Sequence, residues 1–345
     1  MPFEANTVFL ERLKYYREMA LKHLREWLPT KEPRRYLYAL VREHLDGSGK
    51  GLRPALCMAT CGTFGGKIED ALNSAAAIEL MHNAFLIHDD IEDGSEFRRR
   101  QRTMHTRYGV PIAVNTGDAM QALSMRLLRK NVHSLGPQVA WQIFDEFDHM
   151  LMETLEGQAM ELGWIRDNCC DISDEDYLRM TLKKTCWYSF IHPCRIGALI
   201  ARPQELDLDR FNPFGYFLGA AFQIQDDILN LTGSRQKYGK EIGGDLYEGK
   251  RTLMLSHLFG QCSEQEKKSV VALLSRPRHR RLPREIDSLN ELLIEYGSID
   301  YALSCARELR DEAEKAFLDA YRDAPESEDK EFLRQSLYYM LERTA

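Results

Sequence analysis

The sequence predicts an all-α fold, and three observations carry that expectation. Ala, Leu, Met, Glu and Arg, all strong helix formers, dominate the chain. Apolar residues recur at steps of three and four from the first turn to the last. No stretch alternates apolar and polar residues as a half-buried strand would. With 345 residues, 44% of them hydrophobic and 29% charged, the chain can bury a large core, and we read residues 1–345 as a single domain.

The elements follow in order. An amphipathic opening helix has Val8, Leu10, Leu13, Met19, Leu21 and Leu24 as its apolar side. A glycine-rich turn, Asp46-Gly-Ser-Gly-Lys-Gly-Leu-Arg-Pro54, sets Lys50 and Arg53 beside flexible backbone at the next helix start, where charge and exposed N–H groups can hold an anion. Taken alone, the same turn is a plain helix connector, and it lacks the P-loop pattern. The helix through Ala75 to Asp93 puts His82, Phe85, Leu86, Asp89 and Asp93 on one face. A lone histidine there reads as a hydrogen-bonded core residue, but with aspartates beside it His82 looks into the same space. The basic run Phe97–Arg102 reads as a loop placed to reach anionic oxygens next to Asp93.

Further along, Glu156-Gly-Gln158-Ala-Met-Glu161 continues a helix, and Ser173 with Asp176 forms a capping box for the next one. That helix carries Lys183-Lys184-Thr185 and meets Pro193, where a kink or end is expected. Beyond residue 230, Gly233, Gly239, Gly243, Gly244 and Gly249 punctuate a segment holding Lys237, Lys240, Lys250 and Arg251, expected as a mobile cationic lid. The basic segment Arg276–Arg284 reads as a solvated inter-helix loop.

Chemistry enters through a near-repeat: Phe85-Leu-Ile-His-Asp-Asp-Ile-Glu-Asp93 and Phe222-Gln-Ile-Gln-Asp-Asp-Ile-Leu-Asn230. On helices, Asp89 and Asp93 stand one turn apart, as do Gln223 and Asp227. Carboxylates this close repel one another unless cations neutralise them. Magnesium favours oxygen ligands and is usually shared with substrate phosphates, so aspartates without His or Cys partners point to a phosphorylated substrate. One isolated copy reads equally as a solvated acidic helix end; two copies with apolar flanks and basic neighbours do not. A calcium loop of the EF-hand kind fails, because Ile91 and Arg100 stand where it needs oxygen ligands.

Bulk properties exclude other classes. A net charge of −7 argues against a general nucleic-acid binder. The eight cysteines show no Cys-x-x-Cys spacing, and Cys57, Cys61, Cys169 and Cys170 read as ordinary free thiols. The start, Met1-Pro-Phe-Glu-Ala-Asn6, has no basic region followed by an apolar core, so the expected location is the cytoplasm. No run of about 20 apolar residues suggests membrane insertion.

In their order along the chain, Gly49-Lys50-Gly-Leu-Arg53-Pro54, His82, Asp89-Asp90-x-x-Asp93 with Arg98-Arg99, Gly157-Gln158, Lys184-Thr185, Phe222-Gln223-x-x-Asp226-Asp227, and Lys240 with Gly243-Gly244-Asp245 and Lys250 resemble the trans-isoprenyl diphosphate synthases. This is the farnesyl and geranylgeranyl diphosphate synthase family. The resemblance implies a single helical bundle around a deep central cavity, the isoprenoid synthase type I fold, usually as a homodimer, with the aspartate motifs on opposite walls. It implies three magnesium ions holding an allylic diphosphate, with Asp89, Asp93 and Asp226 as ligands and Asp90 and Asp227 supporting them or contacting bound water. Arg98, Lys184, Gln223, Lys240 and Lys250 would face the allylic substrate, while Lys50, Arg53, His82 and Arg99 would hold isopentenyl diphosphate.

In the implied reaction the allylic C–O bond ionises, the isopentenyl double bond attacks head-to-tail, and a proton is lost. Lys184, Thr185 and Gln223 form the catalytic set, the last two shielding the cation as neutral dipoles. Arg100 and Arg102 stand where the family usually has glycine and proline, and Asn230 where the second motif often ends in aspartate. Product length is expected to rest on Ala84 and Phe85, five and four residues before Asp89: Phe85 as the floor, Ala84 leaving that flank open. The expected product is geranylgeranyl diphosphate, C20, with C15 or C25 and longer as alternatives. A terpene cyclase needs Asn/Asp-x-x-Ser/Thr-x-x-x-Glu near residue 226, and the Glu is missing. A non-catalytic subunit of a heteromeric synthase typically loses aspartates from one motif, and both sets are present here.

Overall fold

A computed structural model describes residues 2–47, 49–233 and 243–342. Among these the regular structure is helical apart from one short hairpin. Helix α1 (Pro2–Trp27) lies on the bundle through Phe9, Leu13, Tyr16, Ala20 and Leu24. The expected apolar side is therefore rotated: Val8 and Leu10 are 60% and 45% exposed. Steps of three and four fix the buried stripe through position 9, and positions 8 and 10 fall about 100° to either side of it.

After α2 (Ala39–Asp46) the glycine-rich turn leads into α3 (Leu52–Thr63). Gly51 precedes it at φ 70°, a left-handed conformation that only glycine adopts at no cost. α4 (Ile68–Glu92) is buried nearly all round over its middle, as a central helix must be, and Ala71, Ala75, Ala76 and Ala77 let α3 and α6 (Val110–Leu128) approach its backbone. Between α4 and α6 the basic run folds as a hairpin, β1 (Phe97–Arg98) pairing antiparallel with β2 (Gln101–Arg102), before the single-turn α5 (Met104–Tyr108). It is not the plain loop expected. Arg99 and Arg100 hold its turn at φ 52° and 65°, the geometry of a two-residue type I′ connection. That explains why glycine is the easier residue at position 100.

The short α7 (Asn131–Ser134) leads into α8 (Pro137–Arg166), after which α9 (Asp174–Thr181) opens with the expected Ser173–Asp176 capping box. It runs into a π-helix at Leu182–Ile191, and α10 (His192–Ala201) follows with Pro193 in its first turn. The break expected at Pro193 thus takes the form of a change of helical winding. His192 still donates to the Trp187 carbonyl five residues back, so the chain winds on through the wider turn, at whose end Pro193 has no N–H to give.

α11 (Phe211–Thr232) joins two apolar cores. Its first half, through Phe211, Phe214 and Leu218, belongs to the core of α1, α3, α4 and α10. Its second half, through Ile224, Ile228 and Leu231, packs with α12 (Gly244–Glu248), α13 (Leu253–Gln261), α14 (Glu264–Leu274), α15 (Pro283–Glu295) and α16 (Ser298–Ala320). α17 (Glu328–Glu342) returns to α1 and α3. Among the described residues no helix is long and apolar enough to cross a membrane.

Candidate active site

The bundle encloses a cavity of about 910 Å³, within the usual size of a small-ligand site. α4 supplies one wall through Glu79, His82, Phe85, Leu86 and Asp89, the stripe its period dictates. α11 faces it with Phe222, Gln223, Asp226 and Asp227. Lys50, Arg53, Arg98, Arg99, Lys184, Thr185 and Lys250 also line this space, so residues from seven segments converge as the sequence suggested.

Each carboxylate of the first motif is held by a cation. Arg98 donates from Nη2 to Asp89 Oδ2 at 2.9 Å and from Nε to Asp90 Oδ1 at 2.7 Å. Lys184 bonds Glu161 and lies 3.7 Å from Asp89. Lys250 reaches Asp93 at 2.9 Å, Glu248 at 3.0 Å and Asp245 at 3.7 Å. Burial would lower Lys184, but Glu161 and Asp89 outweigh it and hold its ammonium above the ordinary lysine range. Burial pushes Asp93 up to about 7, with Asp89 and Glu248 adding to it against the pull of Lys250.

On the opposite wall a chain of hydrogen bonds fixes the second motif. Tyr177 donates to Asp227 Oδ2 at 2.8 Å, Gln223 Nε2 to Asp227 Oδ1 at 2.8 Å, and Thr185 Oγ1 to Gln223 Oε1 at 2.9 Å. Asp227 is also raised to about 7, by burial first, with Glu161 and Asp226 reinforcing it against the hydrogen bonds from Gln223 and Tyr177. Asn230 is buried at the end of this wall, and its amide oxygen accepts from the Asp245 N–H at 3.1 Å. Its place is a tie to α12, which an amide oxygen serves without charge.

The third group surrounds Arg53, whose Nη2 donates to Tyr188 Oη and Ser189 Oγ, both at 2.8 Å, while Nη1 donates to His82 Nε2 at 3.1 Å. The guanidinium also lies over the Tyr188 ring at 4.5 Å. Burial, then Arg53 and Arg99, keep His82 well below the ordinary histidine range, so it stands as a neutral acceptor. Phe85 meets Tyr188 edge to face, with ring centroids 5.6 Å apart. Gly157 explains the Gly-Gln pair: a Cβ there would lie 2.2 Å from the Lys184 backbone nitrogen, so only glycine lets α8 approach the segment carrying Lys184 and Thr185.

Three expected positions stand off the cavity wall. Ala84 is fully buried in the larger core, because it lies about 100° round α4 from Phe85; it leaves no flank open. Asp90 is buried behind Arg98, and Asp93 caps α4 and turns to Lys250. Lys237, Gly239 and Lys240 lie outside the described residues, as does the whole of 234–242 within the expected lid. Sequence reasoning assigned no role to Tyr177, Tyr188, Ser189, Glu248 or Glu79. Of these, Glu79 carried a signal, three residues before His82 on the same stripe.

The donor set is one a hard divalent cation takes, carboxylate oxygens alone, and the two carboxyls raised to about 7 are groups that such an ion would relieve. Among the described residues no three of these groups close on a common metal-sized point. Arg98, Lys184 and Lys250 draw the first motif's carboxylates towards themselves, and the two motifs stand on different walls. These carboxylates could hold a divalent ion together with oxygens from a bound ligand.

Residues 34–291 match the family model described as polyprenyl synthetase. The geranylgeranyl diphosphate synthase of Sulfolobus acidocaldarius is 35% identical over 270 residues, covering 78% of this chain and 80% of that protein. The geranylgeranyl pyrophosphate synthetase structure from Pyrococcus horikoshii aligns with a TM-score of 0.85 at 29% identity, over 97% of this chain and 98% of that one. A geranylgeranyl pyrophosphate synthase from Corynebacterium glutamicum, complexed with isoprenyl diphosphate and magnesium, gives 0.82 at 25% identity, over 97% and 98%.

Proposed function

The chain belongs to the polyprenyl synthetase family, and from that premise we propose that it condenses isopentenyl diphosphate with an allylic diphosphate to give geranylgeranyl diphosphate. The observation that carries the reading is the meeting of two aspartate motifs and two separate cation groups in one cavity. A divalent ion, magnesium by the donor chemistry and the family's expected three in number, would be held by Asp89, Asp93 and Asp226 with Asp90 and Asp227 in support; when bound it neutralises charge on the leaving diphosphate.

The chain's own residues do the rest. Arg98, Lys184 and Lys250 bind the allylic diphosphate, while Lys50, Arg53, His82 and Arg99 bind and orient the isopentenyl one. Thr185 donates to the Gln223 carbonyl, and Asp227 accepts from the Gln223 amide. Both dipoles are thereby fixed. Phe85, Leu86, Tyr188 and Phe222 exclude water from the carbocation. Phe85, braced by Tyr188, limits the growing chain. The allylic C–O bond breaks with diphosphate as the leaving group, the isopentenyl double bond forms the new C–C bond to the allylic cation, and the proton then lost passes to the departing diphosphate to restore the double bond.

The same proposal includes one domain across the chain, since α11 feeds both cores. It includes a cytoplasmic location, and a homodimer in which a second copy covers the apolar side chains exposed on α6 and α8: Val110, Val114, Trp141 and Met152. Incubating the purified protein with labelled isopentenyl diphosphate, magnesium and each of the C5, C10 and C15 allylic diphosphates tests the reaction. A C20 alcohol after dephosphorylation is expected; no extractable product from any primer refutes it.

A further inference from the structure

The basic segment Arg276–Arg284, which reads from its sequence as a solvated loop, is tied in this fold to the turn that carries Lys250. Arg281 is 7% exposed and donates through Nη1 to the carbonyls of Leu246 at 3.1 Å and Tyr247 at 2.7 Å, covering the C-terminal end of α12. Gly249 then turns the chain at φ 78°, and the Lys250 N–H bonds the Asp245 carbonyl at 2.9 Å. That turn folds Lys250 back onto Glu248, the last residue of α12, and the two side chains meet at 3.0 Å.

Glu248 joins three segments. Its Oε2 faces Lys250, while Oε1 accepts from Arg278 Nη1 at 3.0 Å and from Ser95 Oγ at 3.1 Å. Ser95 closes the turn after the first aspartate motif, its N–H bonding the Asp90 carbonyl at 3.0 Å. A carboxylate this well buried is stable only when paired and hydrogen-bonded, and here a cation stands on each side of it. Lys250 lines the cavity, whereas Glu248, Ser95 and Arg278 stand behind its wall. Of the other carboxylates near Lys250, Asp245 at 3.7 Å is beyond hydrogen-bond reach. Asp93 at 2.9 Å is assigned to the metal ions, which leaves Glu248 as the close partner with no second duty in the cavity.

We propose that Glu248 is a positioning residue, which holds the Lys250 ammonium towards the allylic diphosphate while Arg278, from the outer loop, and Ser95 fix the carboxylate from behind. It touches no reacting atom. Arg278 balances the charge of Glu248, so Lys250 is oriented without losing its positive charge to its own anchor. The inference rests on the assignment of Lys250 to the allylic diphosphate.

The test is calorimetric binding of the C15 allylic diphosphate in magnesium, without isopentenyl diphosphate, together with steady-state kinetics in which each substrate is varied. Glu248→Gln is expected to weaken allylic binding and raise the allylic KM by about tenfold, with the isopentenyl KM within about twofold. Lys250→Ala should weaken allylic binding at least as much. Unchanged or tighter binding by E248Q, beside a loss in K250A, overturns the proposal and leaves the parent reading standing. An equal rise of both KM values in E248Q also overturns it, since that marks a structural role. No loss in K250A removes Lys250 from the allylic subsite and the proposal with it. If E248Q does not fold, Arg278→Gln, outside the cavity, decides: a selective allylic defect supports the role, and its absence overturns it. Failure of the unaltered protein to condense the two substrates would instead refute the parent reading, since the calorimetric binding needs no turnover.

Discussion

Removing divalent metal should make this protein's stability depend steeply on pH, and the dependence can be assigned to two aspartates. Asp93 and Asp227 are both buried and both raised from 3.8 to about 7. Each therefore holds its proton more tightly folded than unfolded. The stabilisation this gives is complete below pH 3.8 and is lost as pH rises through about 7. With about 1.4 kcal/mol per pH unit, raising the pH from 5.5 to 7.5 costs about 2 kcal/mol for each group, or roughly 4 for the pair. Urea unfolding in EDTA at those two pH values, for the unaltered protein and for the D93N/D227N variant, measures it. The unaltered protein should lose about 4 kcal/mol more than the variant over this interval, and magnesium at pH 7.5 should restore most of the difference. Equal losses in both proteins would show that these carboxyls are not proton-sharing in the metal-free state.

Replacing Asp89 or Asp226 by Ala should lower turnover by roughly three orders of magnitude while far-UV circular dichroism stays unchanged, because each removes a ligand of the leaving diphosphate's cations; near-normal turnover at saturating magnesium would contradict the assignment. Arg53→Ala breaks hydrogen bonds to Tyr188, Ser189 and His82, and should raise the KM for isopentenyl diphosphate by about tenfold or more, against a small effect on the allylic KM. Lys184→Ala should do the reverse, and equal effects in both variants would dissolve the division between the two subsites. Phe85→Ala removes a ring of about the volume of one isoprene unit and should shift the main product from C20 towards C25, at a stability cost of about 1 kcal/mol from the lost edge-to-face contact with Tyr188. An unchanged product on reversed-phase chromatography would place the floor elsewhere.

Much of the site was legible because helical period and motif spacing are local properties. The stripe from His82 to Asp89, the paired aspartate motifs and the Ser173–Asp176 capping box were all visible as residue patterns, and the chain realises them. What failed depended on neighbours that sequence spacing does not reveal. Spacing places Ala84 beside Phe85 but does not say that one faces the core and the other the cavity. The hairpin went unseen because Arg99 and Arg100 occupy left-handed positions with no glycine to signal them. Val8 and Leu10 are apolar yet exposed, since the aromatic positions 9 and 16 set the buried side of α1.

The widened winding of Leu182–Ile191 imposes a constraint of a different kind, on chain length. Lys184, Thr185 and Tyr188 line the cavity, and Ser189 accepts from Arg53, along a stretch whose turns take in more residues than those of an α-helix. Deleting one residue from this stretch without a change of winding would rotate one side against the other by about 100°. Either Lys184 and Thr185 or Tyr188 and Ser189 would then turn away from the ligand, with no side chain exchanged. Two proteins sharing every residue named above, but differing by one position in this segment, would share a working site only if the winding changed with the length.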